Sequence, residues 1–381
     1  MSGAGAYAVV AGGGTAGHVV PGLAIAEELV RRGVPREQVH YVGSSRGIET
    51  RLVPDAGFPL TVLPGRGIQR RLTLANVGAI LGLVSAVFTG IRLVRRLRPA
   101  IVVGLGGYAS VPCVIGAVLW RVPIVVAEQN AVPGLANRLA GRFAKACAVS
   151  FDGTDLPRAT WTGNPVRPEV VTLAATGDAD RQAARTRLGL PADRAVLAVF
   201  GGSLGARRIN DAVADAVSQW SGRADLAVRH VTGTRDHAEM LERVTLPADA
   251  LLTHQLVAYE DDMPSVYAAA DLVLCRAGAS SVAELAVAGV PAVLVPLPGA
   301  PGDHQTANAA ALVDAGAAVL VPDSELDGDC VVATVGRLLD EPGRLAEMAR
   351  SAAHVARPDA AAAVVDLVDR HARYPRPETT S

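Results

Sequence analysis

Val9-Val10-Ala11-Gly12-Gly13-Gly14-Thr15-Ala16-Gly17-His18 decides the fold: an apolar run stops at a glycine-rich turn and leads into a segment that reads as a helix. A second stretch of the same build, Val196-Leu197-Ala198-Val199-Phe200-Gly201-Gly202-Ser203-Leu204-Gly205-Ala206, lies about half a chain later. Two such corners imply two similar halves. Outward from the first, residues 7–11 read as a buried strand, 21–32 as a helix stopped by Gly33, and 39–42 as the next strand. Apolar strands at 101–103 and 124–126 continue the βαβ pattern, which implies a mostly parallel sheet covered on both faces. After Gly163-Asn164-Pro165-Val166-Arg167-Pro168 the pattern restarts with strands at 196–200, 226–231, 272–274 and 292–295 and a helix at 209–220. The expected class is α/β, with two Rossmann-like, doubly wound domains facing a cleft. Their expected bounds are 1–163 and 164–345, followed by an alanine-rich helical tail, 346–381, that could pack on the first domain.

Composition narrows the class. A chain of 381 residues that is 50% hydrophobic and 19% charged can bury substantial cores. Its net charge of −1 gives no whole-molecule drive toward nucleic acid. Cys113, Cys147, Cys275 and Cys330 are far apart and form no C-x-x-C pair, which fits a reduced cytoplasmic protein without a disulfide framework or zinc site. The amino terminus has no basic segment ahead of an apolar secretory core.

The turns point to chemistry. Each can offer backbone N–H groups at a helix start, where an anionic phosphate is favoured. Gly12, Gly14 and Gly17 match G-x-G-x-x-G. The second strand ends in Val42-Gly43-Ser44-Ser45-Arg46, without the acidic residue of an NAD site, while Arg46 leaves a 2′-phosphate and an NADP oxidoreductase open. His18 at the helix entrance reads as a general base that the helix dipole helps keep neutral, or as a capping or packing histidine. Glu128-Gln129-Asn130 and Tyr108 stand at carboxyl ends of strands, where open α/β sheets bind ligands. Glu284 can accept both hydroxyls of a ribose, but Ser281 and Glu284 also have capping-box spacing. Gln305 and Asn308 carry amides suited to sugar hydroxyls, and Asp303 can cap the helix after it. The pairs Asp178/Asp180 and Asp327/Asp329 read as turns or caps, so no catalytic metal is expected.

Together these segments resemble the MurG family. The resemblance runs from Gly13–His18 through Gly106-Gly107-Tyr108, Glu128-Gln129-Asn130 and Gly163–Arg167, then through Gly201–Ala206, Asp261-Asp262-Met263, Arg276-Ala277-Gly278-Ala279 and Gln305–Asn308. It implies a GT-B architecture and an inverting, metal-independent transferase without a cofactor. The enzyme would move GlcNAc from UDP-GlcNAc to the 4-hydroxyl of undecaprenyl-linked MurNAc-pentapeptide. A UDP-GlcNAc 2-epimerase, another GT-B transferase and a nucleotide-responsive membrane scaffold are the alternatives. The resemblance makes His18 the base, with Glu128 and Tyr108 beside it. Thr15, Ala16, Gly17, Asn130, Arg167, Ser203, Ala279, Ser280, Glu284, Gln305 and Asn308 would bind substrates, and the backbone near Tyr259 and Glu260 the uracil. Two departures stand out: Ala16 replaces the family's glycine after Thr15, and Leu204 its glutamine after Ser203.

Residues 72–91 carry no charge and are long enough to span a bilayer. Arg70 and Arg71 precede them; Arg92, Arg95, Arg96 and Arg98 follow. Asn76, Gly78, Gly82, Ser85 and Gly90 within the stretch, and its place between sheet strands, argue against a span. The expectation is peripheral contact with an anionic membrane surface, which the resemblance places at the cytoplasmic face of the cell membrane, near other cell-wall synthesis proteins.

Overall fold

The computed structural model describes residues 5–45, 47–64, 75–173, 177–202 and 205–377, with side chains left aside at 75–81 and 83. Arg46, Arg70, Arg71, residues 72–74, Ser203 and Leu204 lie outside the described residues. The chain divides into two compact units, Met1–Arg167 with Asp359–Ser381, and Pro168–Pro358.

The first unit holds strands β1 (Ala8–Gly12), β2 (Val39–Ser44), β3 (Leu60–Leu63), β4 (Ile101–Gly106), β5 (Ile124–Glu128), β6 (Ala146–Val149) and β7 (Ala159–Trp161). They form one parallel sheet ordered β3-β2-β1-β4-β5-β6-β7. Its helices are α1 (Ala16–Arg31), α2 (Glu49–Asp55), α3 (Ala75–Leu97), α4 (Gly107–Leu119) and α5 (Leu135–Gly141).

The second unit contains helices α6 (Pro168–Leu173), α7 (Asp178–Leu188), α8 (Arg207–Gln219), α9 (His237–Arg243), α10 (Met263–Ala269), α11 (Ala279–Ala288), α12 (His304–Asp314), α13 (Gly328–Asp340) and α14 (Arg344–Val355). Its strands are β8 (Ala195–Phe200), β9 (Leu226–Val231), β10 (Thr253–Val257), β11 (Leu272–Cys275), β12 (Ala292–Leu294) and β13 (Ala318–Leu320), in the order β10-β9-β8-β11-β12-β13, again all parallel. The alanine-rich tail divides: α14 belongs to this unit, while the last helix, α15 (Ala360–His371), packs on α1 of the first. There Arg32 bonds Asp366 at 2.6 Å and Asp369 at 3.2 Å.

Burial on both faces follows from the two-residue period of a strand. Along β1, Ala8 and Val10 enter the core beneath α1 and α15, whereas Val9 and Ala11 enter the core beneath α3 and α4. Such strands read as unbroken apolar runs, which is why they are legible. In each sheet the order reverses beside the glycine-turn strand: β1 lies between β2 and β4, and β8 between β9 and β11. Open α/β sheets bind ligands at this switch point.

The domain bounds fall at 167/168 and 358/359 where 163/164 and 345/346 were expected, and the first helix also begins elsewhere than the sequence implied. Helix α1 starts at Ala16, with Thr15 as N-cap, and carries Pro21 inside it. A proline suits a helix start, but here the glycine turn sets the start five residues earlier. Helix α3 packs Ala86, Leu93 and Val94 inward and approaches α4 closely, because a Cβ on Gly90 would meet Pro112 at 2.6 Å. Among the described residues no helix is long and apolar enough to cross a membrane.

Candidate active site

At the first switch point the turn bends through Gly14, with φ near +97°, a conformation open to glycine at little steric cost. Thr15, extended at the N-cap, accepts from the His18 and Val19 N–H groups through its carbonyl, both at 3.1 Å. Ala16 and Gly17 are the first two residues of α1, so His18 faces the carboxyl edge of the sheet within its first turn. The imidazole Nδ1 lies 3.4 Å from Thr15 Oγ1. A Cβ on Gly107 would stand 3.8 Å from His18 Cε1, so the ring rests against the turn after β4. The imidazole sits deep among protein atoms but keeps an accessible edge.

His18 is held below the ordinary imidazole range. The cause is chiefly burial, which disfavours the cation; Glu128 and Glu49 pull the other way.

One donor of the first turn is already engaged within the chain. The Gly14 N–H is bonded to the Glu49 carboxylate, at 3.0 Å to Oε1 and 2.9 Å to Oε2. An internal anion occupies that donor.

Glu128, the last residue of β5, is buried. Its Oε1 accepts from the Asn130 N–H at 2.9 Å and Asn130 Nδ2 at 3.3 Å, while its Oε2 accepts from the Gly134 N–H at 3.0 Å and Asn137 Nδ2 at 2.9 Å. The carboxylate thus clamps the loop after β5 and sets the position of Asn130. Tyr108, in the first turn of α4, donates to the carbonyls of Pro64 at 2.6 Å and Gly82 at 3.2 Å. Its hydroxyl is a strut to α3 and the end of the β3 segment. Arg167 closes the first unit.

In the second unit the turn after β8 needs glycine at two points. Gly202 has φ near +93°, and a Cβ on Gly205, at φ +79°, would overlap the Thr232 carbonyl oxygen. Ser203, assigned to phosphate, lies outside the described residues.

Helix α11 excludes the capping box that the spacing of Ser281 and Glu284 imitates. Gly278 is the N-cap and the helix starts at Ala279, so Ser281 is already inside it and the capping box is absent. Glu284 is buried, and its Oε2 accepts from the Tyr267 hydroxyl at 2.9 Å. Ala279 is buried at the helix start, and the buried Ser280 hydroxyl has no hydrogen-bond partner among the described residues. An unmatched hydroxyl there is what a polar ligand would satisfy.

Gln305 Oε1 accepts from the Leu297 N–H at 2.9 Å, and Asn308 Nδ2 donates to the Ala277 carbonyl at 3.2 Å. These amides hold α12 to the loops after β12 and β11. Asp303 takes the N-cap of α12 in a left-handed conformation, but its carboxylate accepts from the Thr306 hydroxyl and no backbone N–H.

Of the paired aspartates, Asp180 accepts from the Gly177 N–H at 3.3 Å, Asp327 caps α13 through the Cys330 N–H at 2.8 Å, and Asp329 accepts from Gln219 Nε2 of α8 at 2.8 Å. Among the described residues no group of three or more His, Cys, Asp or Glu side chains is placed to hold a metal.

The structure adds residues that the sequence did not single out. Glu49, Asn137 and Tyr267 meet site residues 35, 9 and 17 positions away, and no sequence motif announces them. Asn164 is buried with neither amide atom hydrogen-bonded among the described residues; its place in the Gly163–Arg167 motif was its only signal.

Comparison with known proteins agrees with this layout. Residues 8–149 match the glycosyltransferase family 28 N-terminal domain and residues 196–364 the glycosyltransferase family 28 C-terminal domain. The chain is 43% identical over 366 residues to the UDP-N-acetylglucosamine--N-acetylmuramyl-(pentapeptide) pyrophosphoryl-undecaprenol N-acetylglucosamine transferase of Acidothermus cellulolyticus, covering 96% of this chain and 98% of that one. It is 40% identical over 370 residues to the protein of that name from Desulforudis audaxviator, covering 95% and 97%. Among solved structures, Acinetobacter baumannii MurG superposes with a TM-score of 0.72 at 32% identity, over 96% of this chain and 99% of that one. The UDP-GlcNAc 2-epimerase of Neisseria meningitidis, at 11% identity and TM-score 0.66 over 95% and 98%, shares the fold alone. With two Rossmann-like units, both family 28 domains and this identity over nearly its whole length, the chain belongs to the MurG family of glycosyltransferases.

Proposed function

We propose that this chain transfers N-acetylglucosamine from UDP-GlcNAc to the 4-hydroxyl of MurNAc in undecaprenyl-pyrophosphoryl-MurNAc-pentapeptide, a step of peptidoglycan synthesis. The new bond joins the acceptor oxygen to the anomeric carbon while the bond from that carbon to UDP breaks, which inverts the donor's α linkage to β. The hydroxyl proton goes to His18. The Thr15 hydroxyl lies 3.4 Å from Nδ1 and can donate to it or accept from it; with the ring proton on Nδ1, Nε2 is the acceptor. The single observation that carries this role is His18 itself, partly accessible in the first turn of α1 at the carboxyl edge of the sheet, with burial holding its pKa below the ordinary imidazole range.

In this reading the first unit binds the acceptor through Thr15, Ala16, Gly17 and Asn130. Glu128 orders the Asn130 loop and stabilises the imidazolium once it forms; Tyr108 braces the same edge. The second unit holds the donor: Glu284 takes the ribose, Gln305 and Asn308 the sugar, and Ala279 and Ser280 the start of α11. Arg167 joins the donor contacts. Ser203 and the N–H groups of the second turn take the pyrophosphate, offsetting charge on the departing UDP.

Labelled UDP-GlcNAc incubated with the lipid acceptor tests this. UDP release that requires the acceptor, with a β-1,4 disaccharide formed, is the expected result. Release without acceptor, or donor binding without turnover, would overturn it.

The polyprenyl tail of the acceptor calls for a surface at the membrane. Helix α3 contains no acidic residue, and its outer face exposes Val84 and Phe88, followed by Arg92, Arg95 and Arg96. Apolar side chains flanked by arginines suit peripheral binding to anionic lipid. Phe88 is 60% exposed, and burying a side chain of this size in lipid is worth about 1.5–3 kcal/mol. Phe88→Asp is expected to weaken flotation with anionic vesicles by about tenfold or more, and high salt to weaken that of the wild type. Flotation indifferent to both would remove this surface.

A further inference from the structure

Glu49 is fully buried, yet its carboxylate is surrounded by donors. Besides the two bonds from Gly14, its Oε1 accepts from the Ser44 N–H at 2.6 Å and the Ser44 hydroxyl at 2.8 Å. Glycines make the room: a Cβ on Gly13, Gly43 or Gly47 would overlap the Glu49 side chain. A buried carboxylate is tolerable only with such donation, and charge-assisted bonds of this kind are stronger than neutral ones. The cradle is therefore built for an anion, and the chain supplies its own.

The held segment leads directly to the base. Gly14 sits at φ +97° with open space where a Cβ would be, so no side chain packs there to fix its conformation. The carboxylate of Glu49 supplies the restraint. On the other side the Gly13 carbonyl oxygen and the His18 ring both pack against Gly107, at 3.3 Å and 3.8 Å from where its Cβ would stand. A shift of the turn would move Thr15 and His18 with it.

We propose that Glu49 is a positioning residue for the transfer reaction, a resident anion that locks the first glycine turn and so fixes His18 at the start of α1. It acts through His18 and does not touch substrate. The charged groups facing the ring are Glu49 from α2 and Glu128 from β5, and both favour its protonated form. Loss of the Glu49 charge therefore shifts His18 titration further down, an effect that a purely steric brace would not produce.

The proposal rests on His18 as the base, and its test separates the two. In Glu49→Gln the amide oxygen can keep the donors of Oε1, while the charge is lost and the NH2 that replaces Oε2 turns a donor toward the Gly14 N–H. The expected result is a folded protein with kcat lowered by about tenfold or more, since small misplacements of a reacting group cost that much. The KM for UDP-GlcNAc should stay within about twofold, as expected when an interaction specific to the transition state is lost. The His18 ring, followed by NMR with labelled histidine, should titrate at lower pH than in the wild type. A folded variant with wild-type kcat and unmoved His18 titration would overturn the proposal, as would a loss confined to the KM for the donor. If Glu49→Gln does not fold, Ser44→Ala removes one donor from Oε1 and is expected to lower kcat about threefold, part of the worth of one hydrogen bond; an unchanged kcat there would also overturn it. The titration needs no turnover, so it reports on Glu49 even if the transferase reading fails.

Discussion

Replacing His18 with alanine is expected to lower kcat by about 10²- to 10⁴-fold, the span that a positioned general base contributes. The KM for UDP-GlcNAc should change less than about twofold, because His18 belongs to the first unit and the proposed donor contacts lie mainly in the second. The pH profile gives a sharper test. Burial is the main cause that depresses His18, with Glu128 and Glu49 opposing it. A base must be deprotonated to act, and a lowered pKa keeps it so at lower pH. The acid limb of kcat/KM in the wild type should therefore fall below about pH 6.5, the ordinary imidazole value, and should vanish in His18→Ala. A folded variant with near-normal turnover would remove His18 from the chemistry. An acid limb unchanged by the substitution would assign that limb to another group.

The two halves were legible because a parallel strand buried on both faces is an uninterrupted apolar run, as in residues 7–11 and 196–200. The glycines that end those runs were legible for a steric reason, since Gly14, Gly202 and Gly205 take positive φ. What the turns hold was hidden. Both motifs look like phosphate seats, but Gly14 is bonded to a carboxylate 35 residues away. That contact depends on β1 and β2 pairing side by side, with Ala11 opposite Val42, and no spacing along the chain encodes it. Glu128 was found from its place at a strand end, whereas its partner Asn137, nine residues on in α5, was not, because only the fold of the intervening loop brings the two together. Local rules also misled at two places. Pro21 looked like a helix start although the glycine turn begins α1 at Ala16, and Ser281 with Glu284 imitated a capping box although Gly278 already caps α11. In both, a rule about neighbours lost to the position of a turn fixed by the sheet.

Glu284→Gln should act on donor binding. The residue lies in the middle of α11, buried, and accepts from the hydroxyl of Tyr267, which packs edge-on against Phe200 at 6.0 Å. A purely structural reading makes Glu284 a brace between α10 and α11. The donor reading gives its carboxylate the ribose hydroxyls as well, and hydrogen bonds to a charged group are worth about 1.5–3 kcal/mol. The amide keeps the shape and can still accept from Tyr267, but it loses the charge and half the acceptor capacity. The KM for UDP-GlcNAc should therefore rise by about 10- to 100-fold, with the acceptor KM within about twofold and the melting temperature within a few degrees of wild type. Tyr267→Phe supplies the contrast: it removes the brace and leaves the carboxylate, so it should cost about 1 kcal/mol of stability while donor KM moves far less. If Glu284→Gln instead bound donor normally and melted as early as Tyr267→Phe, the carboxylate would be a brace alone, and the ribose contact would have to come from another group at the start of α11.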